Sequence, residues 1–537
     1  MKLWVALVLV GLVGPLLAGA QQNGPGGHDP DKATAAWWAQ TTALAKDGME
    51  GRDTGSAAYE RAAKYVAGQF EAAGLKAAGE GGYFQRVPMH QVDLDVARST
   101  AEVMTGASAV GTTGGVAWVN TSPLVWMQEV TLVPRAGLNV EFAGEMVFVG
   151  YGVPTAAEAE GLWGKVAVFF NNTPAGLSAK EREGFAAKRL KGLADAGVKA
   201  VVSIDNPGAI EPFHWPAAYA RSVTIVSDKP AAVASSAPLT VRVSVEGAKK
   251  LFAGAKGHAV AEVLRDGVKG APLETFPLGA SLRVKVAVVE KEISSPNVIA
   301  VLPGSDAKLA SEYVAVSAHL DGYGYGTPVL GDKLYNGALD DAAYVATLIE
   351  LAKGLHGHAP ARSILFCVFT GEEKGLLGSV YFTGHPTVRV SNIVADLNLD
   401  QLRPIFPLKI LTMEGVDESS LGGTVKVLAL KYGIEIRPDR EPERNLFRRA
   451  DNYSFVRVGV PIASFIFGYD PGSPEEVIYR DWYARRYHKP QDDLKTPIDW
   501  KAAGTFNRFY GELAVTIANG EERPKWNAGS VYAPSSK

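Results

Sequence analysis

The stretch Val314–Asp400 decides the fold, and it contains four short motifs, VSAHLD (316–321), NGALDD (336–341), FTGEEKG (369–375) and LNLDQ (397–401). Most of these motifs end or follow a short run rich in Val, Ile, Leu and Phe, bounded by Gly, Pro and polar residues. Such runs are typical of strands that are buried on both faces of a sheet. Because sites in open α/β sheets form outside the carboxyl ends of strands, we expect the polar residues of these motifs to meet there.

These polar residues have the composition of a metal site. They are one imidazole and several carboxylates: His319, Asp340, Glu372, Glu373 and Asp400. Nitrogen and oxygen donors of this kind suit divalent cations such as zinc, and the carboxylates are numerous enough for two ions. A second candidate imidazole, His488 in RRYHKPQDD, lies far downstream, so the fold would have to bring it back.

The motifs also resemble a known family. In chain order, H-x-D, D-D, E-E-x-G-L-x-G-S, N-x-D and a late Y-H are similar to the motifs of the di-zinc aminopeptidases, the M28 peptidases. H-x-D alone is common by chance, but five motifs in the family's order are specific. The resemblance covers residues 34–95 and 283–515. It implies an α/β fold, with a mixed central β-sheet flanked by helices, and hydrolysis of N-terminal peptide bonds of peptide substrates.

The resemblance implies two co-catalytic Zn²⁺ ions. The ligands carried over motif by motif are His319, Asp340, Glu373, Asp400 and His488. Asp340 would bridge the ions, with His319 and Asp400 on one ion and the other two ligands on its neighbour. Taken alone, His319 would be interpreted as a strand-end histidine with satisfied hydrogen bonds. Asp340 has a structural alternative as well, because a carboxylate is favoured at the start of the helix predicted over Asp340–Leu355.

Two further carboxylates are expected behind the ligands. Asp321 resembles the partner that accepts the second ring N–H of a metal-bound imidazole, here His319. Asp492 would support the region around His488. The family also often has a cis peptide after the bridging aspartate, which predicts a cis bond between Asp340 and Asp341.

The catalytic residues implied by the resemblance are Glu372 and Tyr487. Neighbouring side chains in extended backbone point to different sides, so one residue of the pair Glu372–Glu373 can bind metal while the other stays free. Glu372 would be the free one and would act as the general base. Tyr487 would donate a hydrogen bond to the oxyanion, or else it is an aromatic packing residue; both interpretations stay open. Asp451 and Arg449 could line the pocket.

A foreign segment interrupts the predicted peptidase domain. GLWGKVAVFFN (161–171) and VKAVVSI (198–204) read as strands, with a helix predicted between them over Glu181–Ala196. The segment resembles, over roughly 139–255, the mostly-β protease-associated domain inserted in some M28 peptidases. It holds no evident cluster of His and carboxylates, so we assign it no catalysis; it would shape access to the cleft or bind a partner. The remaining histidines, predicted to be surface or loop residues, are His28, His90, His214, His258, His356, His358 and His385.

The predicted organisation has five parts. Residues 1–20 form a signal peptide, 21–125 the N-terminal part of the peptidase domain, 126–280 the inserted domain, 281–525 the main part of the peptidase domain, and 526–537 a tail. The signal peptide is predicted from Met1–Lys2, an apolar stretch and an A-x-A site, with cleavage near Ala20–Gln21. It predicts export to a periplasm or the extracellular medium; an uncleaved anchor is the alternative.

Composition narrows the function further. The 537 residues suggest two to four domains, and the net charge of −3 makes no electrostatic case for binding nucleic acid or an acidic membrane. After cleavage of the signal peptide no stable membrane insertion is expected. The single cysteine, Cys367, lies within an apolar run, so it is predicted to be a buried thiol and not a nucleophile.

Three other functions share parts of this pattern. A carboxypeptidase of the glutamate-releasing type would keep the metals but needs cations for the substrate's C-terminal carboxylate; the candidates are Arg403, Arg444, Arg448 and Arg449. Glutaminyl cyclases share the fold with one zinc, which the presence of all five ligands argues against. A non-catalytic binding protein on this scaffold would have lost metal ligands, and this chain retains them.

Overall fold

The structure is a computed structural model that describes residues 29–110, 115–209, 211–226, 238–400 and 402–533. The predicted signal peptide, residues 1–20, lies outside the described residues. Of the helices in the described ranges, none has the length and apolar content needed to span a membrane.

Twelve α-helices are found in the described residues. They are α1 (Lys32–Ala45), α2 (Ala57–Ala72), α3 (Ala156–Glu160), α4 (Ala179–Asp195), α5 (Val245–Leu251), α6 (Val260–Val268), α7 (Ala343–Gly354), α8 (Leu377–Gly384), α9 (Leu421–Lys431), α10 (Asn452–Arg457), α11 (Pro474–Arg485) and α12 (Trp500–Asn519). Short 3₁₀ turns cover Asp47–Arg52, Phe252–Gly254, Glu372–Lys374, Val390–Asn392, Pro442–Arg444 and Leu446–Arg448, and a π turn covers Ala338–Ala342.

The same residues contain twenty strands. They are β1 (Lys76–Ala77), β2 (Phe84–Leu94), β3 (Thr100–Val110), β4 (Gly115–Pro123), β5 (Val130–Leu132), β6 (Val140–Val149), β7 (Val166–Phe170), β8 (Ala200–Ile204), β9 (Arg221–Ile225), β10 (Leu239–Val243), β11 (Thr275–Val286), β12 (Val288–Leu302), β13 (Tyr313–His319), β14 (Gly324–Val329), β15 (Asp332–Tyr335), β16 (Ser363–Phe369), β17 (Ile393–Asn398), β18 (Ile410–Glu414), β19 (Glu435–Arg437) and β20 (Ile462–Gly468).

The larger sheet has the order β19-β18-β20-β17-β13-β16-β12-β2-β9, with β1 paired to β12. Its centre is parallel: β13 pairs with both β16 and β17, and β17 pairs with β20. The antiparallel pairs of β12 with β16 and of β18 with β20 make the sheet mixed. The predicted fold class is thereby confirmed, and the parallel register brings the carboxyl ends of β13, β16 and β17 to one edge.

Both faces of the central strands are buried, which explains their continuous apolar sequence. Successive side chains of a strand point to opposite faces. On β16, Phe366 packs into the core that α1, α2, α7 and α12 cover, whereas its neighbours Leu365 and Cys367 pack with Phe382 and Phe455 of α8 and α10. Cys367 is fully buried, as the sequence predicts.

A second sheet, with the order β4-β3-β11-β6-β7-β8-β10-β5, belongs to the inserted segment. It begins at Thr100 and ends at Val286, so it is wider than the predicted insert of 126–280 and takes in β3 and β4. One strand of the segment leaves this sheet: β9 pairs antiparallel with β2 at the edge of the larger sheet. The inserted segment is therefore attached to the larger sheet by backbone hydrogen bonds as well as by its two connections.

Candidate metal centre

The carboxyl edge of the larger sheet gathers the polar residues of the four motifs. His319 is the last residue of β13, the pair Glu372–Glu373 follows β16 in a 3₁₀ turn, and Asp400 follows β17. Asp340 lies in the π turn that precedes α7, and the peptide bond from Asp340 to Asp341 is cis, which confirms that prediction. The helix itself begins at Ala343, three residues later than predicted.

His488 is brought back to this edge from the end of α11. Its Nε2 lies 3.4 Å from Oδ2 of Asp340 and 3.3 Å from Oε2 of Glu373. On the other side of Asp340, Nε2 of His319 lies 3.3 Å from Oδ1 of Asp340. The donors therefore form two groups that share one carboxylate.

The two groups are compact enough for a metal ion each. His319, Asp340 and Asp400 each offer one donor atom, as do Asp340, Glu373 and His488, and within each group the donor atoms lie within 4.8 Å of one another. The residues meet because three parallel strands end side by side and a helix start and the loop after α11 close over them.

The chemistry of these residues fits divalent cations. Nε2 of His319 and Oδ2 of Asp340 are buried and have no hydrogen-bond partner among the described residues. Buried polar atoms are normally hydrogen-bonded, so two such atoms without a hydrogen bond in one site indicate a missing partner. Imidazole nitrogen and carboxylate oxygen are the ligands that zinc takes in proteins. The set thus fits zinc in both groups.

The carboxylates of the site have pKa values shifted in opposite directions, downward by the cationic groups beside Asp340 and upward by burial and mutual repulsion elsewhere. Burial alone would raise the pKa of Asp340, but the nearby imidazoles of His319 and His488 and the guanidinium of Arg403 hold it well below its ordinary value. Burial raises the pKa of Glu373 to about 7, and burial together with the neighbouring carboxylates raises that of Glu372 well above its usual range. Several carboxylates are close together here, and a bound cation would offset the repulsion between their negative charges.

Glu372 stands apart from both donor groups while remaining beside them. Its Oε2 is 3.9 Å from Nε2 of His319, and it shares its 3₁₀ turn with Glu373. The backbone N–H of Glu372 donates to Oδ1 of Asp321 at 3.0 Å, which fixes the start of the turn. A carboxylate that is buried, held in place and not part of either group is in the position that a general base requires.

The carboxylates of Asp321 and Asp492 accept hydrogen bonds from other groups than those predicted. Nδ1 of His319 bonds to the backbone oxygen of Asp321 at 3.1 Å, whereas the Asp321 carboxylate, 3.8 Å away, binds Thr54 and the Glu372 backbone. Asp492 holds the backbone of Asp340 and Leu339 rather than His488. The two carboxylates are therefore oriented by the groups that donate to them, a hydroxyl and a backbone N–H for Asp321 and two backbone N–H groups for Asp492.

The partner of His488 is a residue that the motifs do not include. Its Nδ1 lies 3.0 Å from the hydroxyl of Tyr323. On its other side the ring of Tyr487 stacks on it, with ring centroids 3.7 Å apart, and Tyr487 is almost completely buried. Tyr323 follows Asp321 by two positions in HLDGYGYG, so its closeness to the H-x-D motif was the available signal.

The inserted segment also reaches the site through His214, which lies in a loop, as predicted, but beside two site residues, which the sequence did not indicate. Its ring meets those of Tyr487 and His488 edge-on, at centroid distances of 5.4 and 5.9 Å. Burial lowers the pKa of His214 to about 3, so the ring is neutral. Nothing in EPFHWP announces this contact, because it depends on how the segment docks. Of the other histidines, His356 bonds to a backbone oxygen and His90 to two glutamates, away from the site.

An ion pair joins the inserted segment to the rim of the site. Glu211 contacts Nη1 and Nη2 of Arg449, at 2.5 and 3.1 Å, and lies 3.7 Å from Nε of Arg444. A cavity of about 1110 Å³ extends from Glu373 and His488 along both parts of the chain. Its walls include Glu211 and Arg449, so the segment forms part of the space that a substrate would occupy.

The arginines considered for a substrate carboxylate already have partners. Arg403 is buried, with Nη2 3.9 Å from Asp340 and its guanidinium 4.2 Å from the ring centroid of Trp482. Arg444 and Arg449 pair with Glu211, and Arg448 lies over the ring of Tyr453 at 5.7 Å. Asp451, expected at the pocket, is fully buried behind it.

Comparison with known proteins shows which family and which relatives the chain resembles. Residues 297–514 match the model described as Peptidase family M28, which confirms the predicted resemblance. "Probable leucine aminopeptidase 2" of Aspergillus oryzae is 26% identical over 236 residues, which is 42% of this chain and 45% of that protein. "Aminopeptidase YwaD" of Bacillus subtilis is 25% identical over 215 residues, 38% of this chain and 40% of that one.

A shorter match is closer in sequence. A "Probable zinc metalloprotease" of Pyrenophora teres is 32% identical over 110 residues, 20% of this chain and 23% of that protein. The chain thus spans less than half of the length of these curated relatives.

Two solved structures resemble the whole molecule. An aminopeptidase from Aneurinibacillus sp. strain AM-1 superposes with a TM-score of 0.56 at 20% identity, covering 93% of this chain and 96% of that one. A zinc aminopeptidase from Bacillus subtilis gives 0.54 at 18% identity, covering 91% and 95%. These similarities establish the fold of the chain, including the inserted segment.

Proposed function

We propose that this chain, whose residues 297–514 are an M28 peptidase domain, is an exported aminopeptidase that removes N-terminal residues from peptides with two metal ions. The observation that carries the proposal is the single carboxylate, Asp340, shared by two donor groups at the carboxyl edge of the sheet. The resemblance of the inserted segment to a protease-associated domain and the signal peptide over residues 1–20 are part of the same proposal.

His319, Asp340 and Asp400 would hold one zinc ion, and Asp340, Glu373 and His488 the other. Zinc bound there would supply a water of lowered pKa and polarise the carbonyl group of the scissile bond. Both groups contain imidazole and carboxylate donors only, without a thiolate, in the described residues. Such a set also accepts cobalt or manganese. We propose zinc because the donors suit it and because similar proteins are described as a zinc metalloprotease and a zinc aminopeptidase.

Glu372 would carry the proton during hydrolysis. Its carboxylate takes a proton from the attacking water and passes it to the nitrogen of the leaving amine, so that the peptide bond breaks with a neutral amine. Burial, which raises the pKa of Glu372, makes the carboxyl a stronger base than a solvent-exposed glutamate. The bond from its backbone N–H to Asp321 keeps the group beside the metal ligands.

Tyr487 would stabilise the negative charge that develops on the carbonyl oxygen. It lines the cavity beside His488, and its buried phenol has a pKa raised well above the ordinary value by burial, so it stays protonated and can donate. In a buried site such a hydrogen bond is worth more than in water because the surrounding dielectric is low.

Removal of N-terminal residues is favoured over removal of C-terminal ones. A carboxypeptidase needs a cation for the substrate's terminal carboxylate. Of the four candidates, Arg403, Arg444 and Arg449 each lie within 4 Å of a carboxylate, and Arg448 does not line the cavity. Recruiting one of them would break an existing ion pair and leave a carboxylate in a buried setting without its partner.

A pair of blocked peptides tests the proposal. The mature chain, purified with zinc, should cleave a peptide with a free N-terminus and an amidated C-terminus. It should leave the N-acetylated peptide with a free C-terminus intact. A chelator should abolish activity, and metal analysis should give two zinc ions per chain. Cleavage of the acetylated peptide alone would favour the carboxypeptidase, and activity unaffected by chelator would overturn the metal mechanism.

A further inference from the structure

The hydrogen bond between Tyr323 and His488 joins parts of the chain that are 165 residues apart. The hydroxyl of Tyr323 and Nδ1 of His488 are 3.0 Å from each other. Tyr323 lies in the loop between β13 and β14, whereas His488 lies three residues after the end of α11. The other ring nitrogen, Nε2, faces the carboxylates of Asp340 and Glu373 at 3.4 and 3.3 Å.

The direction of this hydrogen bond follows from what the ring has to do. An imidazole that binds a metal through Nε2 is neutral and carries its proton on Nδ1. Nδ1–H then donates to the oxygen of Tyr323, which accepts. A partner of this kind fixes both the tautomer and the rotation of a metal-binding imidazole.

Tyr323 itself is held rigidly. Its ring packs between those of Tyr219 and Tyr335, with centroid distances of 5.7 and 5.9 Å. Nζ of Lys374 lies over the ring at 4.8 Å from its centroid. That ammonium is fixed in turn, since it donates to the backbone oxygen of Gly322 at 3.1 Å. The phenol therefore offers its oxygen at a fixed point beside His488.

The two imidazoles of the site are supported in different ways. Nδ1 of His319 bonds to a backbone oxygen, that of Asp321, at 3.1 Å. The support of His319 survives any change of side chain at position 323, whereas that of His488 does not. A substitution at Tyr323 should consequently change the metal affinity of one group and not of the other, although both groups contain Asp340.

We propose that Tyr323 is a positioning residue that fixes the tautomer and orientation of His488 and so sets the affinity of one metal group, Asp340–Glu373–His488. The inference rests on the proposed two-metal function. It predicts an asymmetric effect: loss of the phenol oxygen weakens this group and leaves the group of His319, Asp340 and Asp400 nearly unchanged.

The test compares Tyr323→Phe with a matched control, Tyr325→Phe. Tyr325 is half-exposed two positions later on β14, so its hydroxyl can be removed without touching the site. Zinc binding to the metal-free full chain is measured by competition with a chromophoric chelator, which resolves two successive dissociation constants. Thermal unfolding of the metal-free proteins checks that both variants fold.

We expect one of the two dissociation constants of Tyr323→Phe to rise about 10- to 100-fold, as for other outer partners of zinc ligands. The second constant should stay within about twofold, and Tyr325→Phe should match the unmutated chain. Equal weakening of both constants, or no change in either, would overturn the inference. An unmutated chain that binds fewer than two zinc ions would instead contradict the proposed function, so the two failures are distinguishable.

Discussion

The carboxylate of Asp492 accepts the backbone N–H of Asp340 at 3.0 Å and the backbone N–H of Leu339 at the same distance. All three residues are buried, so these N–H groups depend on Asp492 for a partner. The one side chain that belongs to both proposed metal groups is thus oriented through its backbone by a residue far along the chain.

Asp492→Ala should therefore lose zinc from both groups and unfold at a lower temperature. The substitution leaves buried donors without an acceptor, which costs roughly 1–3 kcal/mol, and frees the turn that carries Asp340. Zinc analysis and thermal unfolding measure the two effects. Asp481→Ala, which removes a half-exposed carboxylate paired with Arg485 on α11, serves as the control and should change neither. Full zinc occupancy in Asp492→Ala would contradict this account.

Glu372→Ala and Asp340→Ala should have different effects on zinc content, because Glu372 is proposed as the general base and Asp340 as a metal ligand. Glu372 belongs to neither donor group, so its loss should lower kcat by at least about 10²–10⁴-fold while zinc content stays near that of the unmutated chain. Asp340→Ala should lose activity and metal together. Equal loss of zinc in the two variants would reverse the assignment of roles.

Tyr487→Phe decides between the two interpretations of that residue. Phenylalanine keeps the stack on the His488 ring, so a packing role predicts unchanged kinetics. A hydrogen bond to the developing oxyanion predicts a fall in kcat of about 10²–10³-fold with a nearly constant KM. Steady-state kinetics with zinc content as the control separate the two cases.

The sequence was sufficient to predict the central sheet and the meeting of most of the proposed ligands at its edge. Parallel strands buried on both faces have a distinctive composition, and residues that follow such strands must meet at one edge. His319, Glu373 and Asp400 could therefore be placed together from their positions after such strands, whereas Asp340 precedes a helix and was joined to them with the help of its family motif. His488 follows a helix and not a strand, so only its family motif indicated that it joins them.

The features that the sequence did not predict depend on how the inserted segment packs against the larger sheet and on hydrogen bonds of backbone atoms. The resemblance to the family stops at residue 95, but the predicted insert begins only at 126, because the alternation of β3 and β4 does not show which sheet they join. His214 reaches the site because β9 joins β2, a pairing between distant segments. The atoms that Asp492 binds are backbone N–H groups, which every residue has and which no side-chain motif marks.

Glu414 should make the stability of the fold depend on pH. Burial first, and then the charges of Asp439 and Asp400, raise its pKa from 4.5 to about 8 against the opposing effect of Arg444 and Arg449. The folded chain then holds a proton that the unfolded chain releases between pH 4.5 and 8. Since the native state binds the extra proton, the free energy of unfolding falls as pH rises through this window.

The check is the difference in Tm between the unmutated chain and Glu414→Gln. Glutamine has the same shape without the charge, so the variant should gain stability relative to the unmutated chain as pH goes from 5 to 8.5. The gain should be on the order of a few kcal/mol. Metal-free protein is used at both pH values so that zinc affinity does not contribute. A difference that is independent of pH would show that Glu414 titrates normally.

Glu211→Gln should weaken substrate binding without disturbing the metals. Its contacts with Arg449 and Arg444 hold the loop that presents His214 to Tyr487 and His488, so the wall of the cavity is ordered before a peptide arrives. Arg449 is partly exposed, so the pair is worth roughly 0.5–1 kcal/mol, which corresponds to a rise in KM of about two- to fivefold.

The matched control is Glu246→Gln, which removes an exposed carboxylate paired with Lys249 on α5 of the same segment. It should leave KM unchanged, and both variants should keep their full zinc content. The effect of Glu211→Gln should also fade at high salt, because added ions weaken the pair in the unmutated chain too. If KM and its salt dependence are the same in Glu211→Gln and the unmutated chain, the loop is held by β9 alone and the ion pair has no part in binding.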